Sequence, residues 1–112
     1  MLILNRAEIR KVDVQKEICG LTLNELRSKI DLLDEQIFKA FADRMELARA
    51  IGKIKKENNI TILQLDRWKE IVDQRKNLTA DLKLNDSFVD ALLSIVHEES
   101  MAQQNSVMNK PI

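Results

Sequence analysis

At 112 residues the chain has room for one domain, and a single chain of that size leaves much of its apolar surface wet unless it associates. Eighteen Lys and Arg balance eighteen Asp and Glu; without net charge there is no global field to hold nucleic acid or an acidic membrane, so any anion site has to be local. Two Gly, one Pro and no Tyr leave little turn or strand chemistry, and the one cysteine, Cys19, excludes a disulfide framework or a thiolate zinc site within the chain.

Residues 1–20 read as a leader or interdomain linker ending at Gly20, undecided between a short helix and an extended segment. Its Met1-Leu2-Ile3-Leu4 is too short for a signal sequence, and no apolar run nears the roughly 20 residues of a membrane span, so the expected address is the cytosol. Cys19 reads as a small, half-buried residue in a reducing compartment. From Leu21 to about Asn58 the pattern predicts one long helix, with Leu23, Leu26, Ile30, Leu33, Ile37, Phe41, Ala48 and Ile51 recurring at helical spacing and Thr22 or Asn24 as caps. Gly52 interrupts that pattern at a cost of about 1 kcal/mol relative to Ala. Such a helix spans roughly 55 Å and cannot cover its stripe with two short helices alone, which implies a second subunit. After the connector Ile60-Thr61-Ile62-Leu63, a second helix is expected from about Gln64 to Leu82 and a third from about Ser87 to Gln104 or a little beyond. Leu84-Asn85-Asp86-Ser87 supplies the break and the caps between them. The predicted fold is all-α, three helices in an intertwined homodimer, with a domain at 21–108 and a frayed tail at 109–112.

Polar residues on apolar stripes carry the functional signal. Arg44 lies between Phe41 and Ala48 on the stripe of the long helix, and Lys55, eleven residues on, points within roughly 20° of it. One such residue is readily explained as a long stem with its head in water; two are harder to explain so. Ser100 and Gln104 interrupt the stripe of Leu93, Val96 and Val107 in the same way, or simply end it. Arg67 can pair with Asp66 or Glu70, and Arg27 with Asp31. The other reading is a cationic pocket in an apolar bundle, suited to a small dianion gripped by Arg. Arg27 and Lys55 are 28 residues apart, about 42 Å along one helix, so both serve one small ligand only if one comes from a partner.

The run Leu26-Arg27-Ser28-Lys29-Ile30-Asp31, Leu33-Asp34, Arg44 with Leu47-Ala48, Ile51-Gly52-Lys53-Ile54-Lys55, Asp66-Arg67, and Ser100 with Gln104 resembles the all-helical chorismate mutases over about residues 22–105. The resemblance implies a cofactor-free, metal-free Claisen rearrangement of chorismate to prephenate, a step toward phenylalanine and tyrosine. It implies Arg44 and a partner-derived Arg27 on the substrate carboxylates, with Lys55 and Gln104 donating to the ether oxygen. Arg67 would line the site and Ser100 touch a carboxylate. Where relatives carry acidic residues that receive the ring hydroxyl, this chain has Gln64, whose amide oxygen still accepts, and Trp68, which cannot accept or else is plain core. His97, the only histidine, reads as a surface or packing residue rather than a base. The spelling Ile62-Leu63-Gln64 followed by Arg67-Trp68 is similar to a branch fused to an aldolase-type synthase of the shikimate pathway. Two alternatives stay open: isochorismate–pyruvate lyase, and a non-catalytic helical module that senses a metabolite or dimerises.

Overall fold

Helix α1, Leu23–Glu57, starts on a capping box: the Thr22 hydroxyl accepts from the Glu25 amide, and the Glu25 carboxylate reaches back to the Thr22 amide. The computed structural model describes residues 18–109, so most of the predicted leader, and the tail beyond Asn109, lie outside the described residues. Within them Cys19 is exposed rather than half-buried. Helix α1 ends in a Schellman turn, with the Ile60 amide donating to the Lys55 carbonyl and the Asn59 amide to the Lys56 carbonyl. Asn59 takes the left-handed conformation this requires, at φ 55°, as Asn does more readily than most residues. The turn sends residues 60–64 back beside the end of α1.

Helix α2, Leu65–Thr79, begins at Gln64, whose side chain makes no cap. It stops three residues short of the predicted Leu82, in a turn where the Leu82 amide donates to the Thr79 carbonyl and Lys83 has φ 55°. Helix α3, Asp86–Met108, is capped by the Asn85 side chain accepting from the Ser87 and Phe88 amides. It runs one turn beyond Gln104 and ends at Asn109. There is no strand among the described residues, and no helix among them is long and apolar enough to cross a membrane.

Helix α3 packs chiefly along α1 and touches α2 over a shorter stretch. The seam is centred on Ala48 and Gly52 of α1 and Val89, Ser100 and Gln104 of α3, all buried. Gly52 is the point of closest approach: a Cβ built there would lie 2.8 Å from both Cα and the carbonyl oxygen of Gln104. The glycine that looks costly in the helical pattern is thus what lets the two backbones meet.

Along the first half of α1 the predicted stripe is uncovered. Leu23, Ile30, Leu33 and Ile37 are exposed, and Phe38 beside them is 73% exposed. Phe88, Leu92 and Ile95 of α3 are exposed too. The chain measures 57 Å along its longest axis, with a radius of gyration of 18.2 Å, against about 13 Å for a compact domain of this length. Among the described residues the single chain therefore buries two apolar side chains, Ala48 and Val89, and leaves a long apolar face uncovered.

Candidate active site

Where α1, α2 and α3 converge they enclose a cavity of about 400 Å³. Of the seven residues expected at a site, six line it: Arg44, Lys55, Gln64, Arg67, Ser100 and Gln104. The seventh, Arg27, sits in the exposed first turns of α1 and is not part of this wall. It makes no ion pair with Asp31, nor does any other described carboxylate reach it.

Lys55 occupies the last turn of α1, and its ammonium does not snorkel. It donates to the Ile62 carbonyl at 2.6 Å and to the Gln104 side-chain oxygen at 2.8 Å. The Schellman turn brings the Ile62 carbonyl into range, and the close crossing at Gly52 brings Gln104. With its oxygen taken up by Lys55, the Gln104 amide has its NH2 free to donate. An ammonium has three donors, so one remains for a ligand. Burial lowers the Lys55 pKa from its ordinary value, yet leaves the charge to be matched by dipoles alone.

Arg44, on the same face of α1, donates to the Ser100 hydroxyl. Burial holds its pKa below the ordinary value, with repulsion from Arg75 and then Arg67 adding to the effect. Arg67 pairs with Glu70 three residues on, as one reading of the sequence had it. Trp68 is neither plain core nor free surface. It stacks on His97 with ring centroids 4.0 Å apart and planes 25° apart, and both rings face the cavity. The His97 pKa is lowered by burial, then by Arg44 and Lys55, while Glu98 pulls the other way. The ring is therefore held toward its neutral form.

The apolar part of the wall comes from Leu47, Ala48, Ile51, Ile62, Ile71 and Met101. Two further polar residues belong to the wall: His97, expected as a surface or packing residue, and Arg75, which the sequence did not mark out. Arg75 follows Ile71 by four and Trp68 by seven, the same signal of a cation on an apolar stripe that marked Arg44. The wall thus carries Arg44, Lys55, Arg67 and Arg75 and no carboxylate. Among the described residues no group of His, Cys, Asp or Glu is placed to hold a metal ion, and no fully buried side-chain polar atom lacks a partner. The chemical capacity is that of an anion site with fixed donors: it can grip carboxylates and offer hydrogen bonds at the Lys55–Gln104 end.

Comparison with known proteins gives a consistent picture. Residues 26–105 match the family described as chorismate mutase type II. The chain is 30% identical over 88 residues to a chorismate mutase of Methanocaldococcus jannaschii, covering 79% of this chain and 89% of that protein. It is 31% identical over 88 residues to a bifunctional chorismate mutase/prephenate dehydratase of Buchnera aphidicola, covering 79% of this chain and 23% of the relative. It is 29% identical over 90 residues to the T-protein of Haemophilus influenzae, covering 80% of this chain and 24% of that one. The chain thus spans about a quarter of the length of these two longer relatives. No solved structure matches it significantly.

Proposed function

The chain belongs to the type II chorismate mutase family, and we propose that it rearranges chorismate to prephenate in the cytosol, as an intertwined homodimer. The observation that carries this reading is a 400 Å³ cavity with four cations on its wall, no carboxylate, and a lysine and a glutamine already hydrogen-bonded to each other at one end. Chorismate is a dianion whose reaction needs no nucleophile and no proton transfer. It has to be held compact, with the enolpyruvyl arm over the ring, while the ether C–O bond breaks and a C–C bond forms. Holding the reacting carbons together removes much of the entropic barrier.

In this reading Arg44, oriented by Ser100, forks onto one carboxylate, and Ser100 itself touches that group. Arg67 lines the site, and Arg27 enters from the second subunit. The Lys55 ammonium and the Gln104 amide aim at the ether oxygen, where negative charge grows in the transition state. A fixed donor of that kind contributes roughly 3–4 kcal/mol. Gln64 and the Trp68–His97 stack face the ring, where Gln64 accepts the ring hydroxyl. The uncovered stripe of α1 supports the dimer, because a second copy is what would bury Ile30, Leu33 and Ile37. Residues 21–108 form the mutase domain, with residues 1–20 as a leader or interdomain linker.

The test is chorismate loss by absorbance, with products identified by chromatography, in the parent and in Arg44→Ala and Lys55→Ala. Prephenate from the parent and little from the variants is expected. Pyruvate released from isochorismate, with chorismate untouched, would move the assignment to a lyase; a folded dimer inert toward both would leave a binding module. Co-expressing Arg27→Ala with Lys55→Ala tests the dimer, since mixed dimers regain one intact site and about a quarter of parental activity overall. No recovery would place Arg27 outside the partner's site.

A further inference from the structure

Arg75 is the cation of the cavity wall that the reading above leaves without work. It stands on the Trp68–Ile71 face of α2, within roughly 40° of both residues. It borders the main cavity and also a side cleft of about 150 Å³, and Arg44, Trp68, Ile71 and His97 border both spaces with it. Its guanidinium donates to the neutral side-chain oxygen of Gln74, at 3.0 Å. No carboxylate among the described residues pairs with it, whereas Arg67 has Glu70. It is half-buried and near enough to Arg44 to disfavour that residue's charge. Two guanidiniums that repel across a cavity, one held by a hydroxyl and the other by an amide, are stabilised when an anion comes between them.

We propose that Arg75 is a further substrate-binding residue, which with Arg44 forms a two-guanidinium grip for one carboxylate of the dianion at the end of the cavity away from Lys55 and Gln104. This rests on the mutase reading and extends it. A chain in which Arg44 and Arg75 share a carboxylate is suited to dianions over monoanions of the same shape, because a monoanion lacking that group leaves both charges facing each other. The assignment is to binding, not to the bond-breaking step, since Arg75 lies away from the Lys55–Gln104 end.

The experiment uses the full chain with Arg75→Gln, Arg75→Lys and Arg75→Met, and Arg49→Gln as an exposed control that hydrogen-bonds Gln103 away from the cavity. Three quantities are read: KM and kcat with chorismate, and the dissociation constant of prephenate from the emission of Trp68, the single tryptophan. Circular dichroism checks helix content, and Arg75→Met keeps the packing of the stem, so a loss shared by Met and Gln but partly restored by Lys reports charge. For the Gln variant, KM and the prephenate constant rise about tenfold, the size of one lost charge-assisted hydrogen bond, while kcat changes less than about threefold. The Lys variant falls between, and the Arg49 control matches the parent. Unchanged KM and binding in Arg75→Gln, or a fall in kcat at constant KM, would overturn the proposal. A parent that binds prephenate but does not turn over chorismate removes the mutase reading and leaves Arg75 judged by binding alone. A parent that binds neither overturns both.

Discussion

Replacing Gly52 with Ala sets two effects of known sign against each other. In a helix interior Ala is favoured over Gly by about 1 kcal/mol, so an exposed site would gain stability. Here the new methyl would sit 2.8 Å from Cα and the carbonyl oxygen of Gln104 and 3.2 Å from its carbonyl carbon. Comfortable carbon contacts lie near 3.5–4.0 Å, so α1 and α3 must part by roughly 1 Å, and the obstacle is backbone that cannot rotate away. Overpacking of this kind costs about 1–3 kcal/mol. Against the gain in propensity, the net loss is about 1 kcal/mol, which lowers Tm by roughly 4–8 °C. Activity is the sharper readout: displacing the Gln104 amide by about 1 Å from the group it serves costs on the order of 100-fold in kcat. Thermal denaturation by circular dichroism, at one fixed protein concentration because a dimer's Tm depends on it, is compared with initial rates on chorismate. A Gly52→Ala protein that melts higher than the parent and keeps its kcat would refute the close crossing.

The other predictions concern charge and association. The His97 pKa is depressed below 6.5 by burial and by Arg44 and Lys55, so between the folded value and 6.5 the unfolded chain holds more protons. The stabilisation is then complete above pH 6.5 and lost as pH falls through the folded value. Trp68 emission should change with a midpoint below 6.5 in the parent and stay flat in His97→Leu; a midpoint above 6.5 would contradict the placement of the ring. Ile37→Glu puts a charge on the uncovered face of α1 and should shift the chain toward monomer or unfolded species in size-exclusion chromatography with light scattering. A dimer of parental affinity would mean that the second copy docks elsewhere.

Helix types, and the starts of α1 and α3, were legible because the stripe of α1 and the Thr22 and Asn85 caps are local signals. Arg44 and Lys55 were legible as cations where apolar residues belong. Arg75 gives the same signal on a shorter, more polar helix, where Arg is unremarkable against Lys69, Glu70 and Asp73. What periodicity could not tell is which neighbour a face meets. Gly52 looked like a flaw because its use lies in Gln104, 52 residues away. His97 looked incidental because Trp68 reaches it only through the fold. The early end of α2 at Thr79 was missed because Leu82 continues the apolar spacing, while Lys83 adopts a backbone angle that residue type alone does not announce.

The two partners of Lys55 differ in how the chain reaches them. The Ile62 carbonyl is seven residues away and the Gln104 side chain forty-nine. For a flexible chain, closing the longer loop costs about 1.7 kcal/mol more. The turn at Asn59 can therefore place the ammonium on the Ile62 carbonyl while α3 is still undocked, and the glutamine joins it once α3 packs on α1. During synthesis the same order is enforced by the ribosome, which delivers Lys55 and its turn well before Gln104. The donor pair comes into being only once nearly the whole described chain exists, so a polypeptide cut off after α2 would keep the lysine's local perch and none of the reactive geometry.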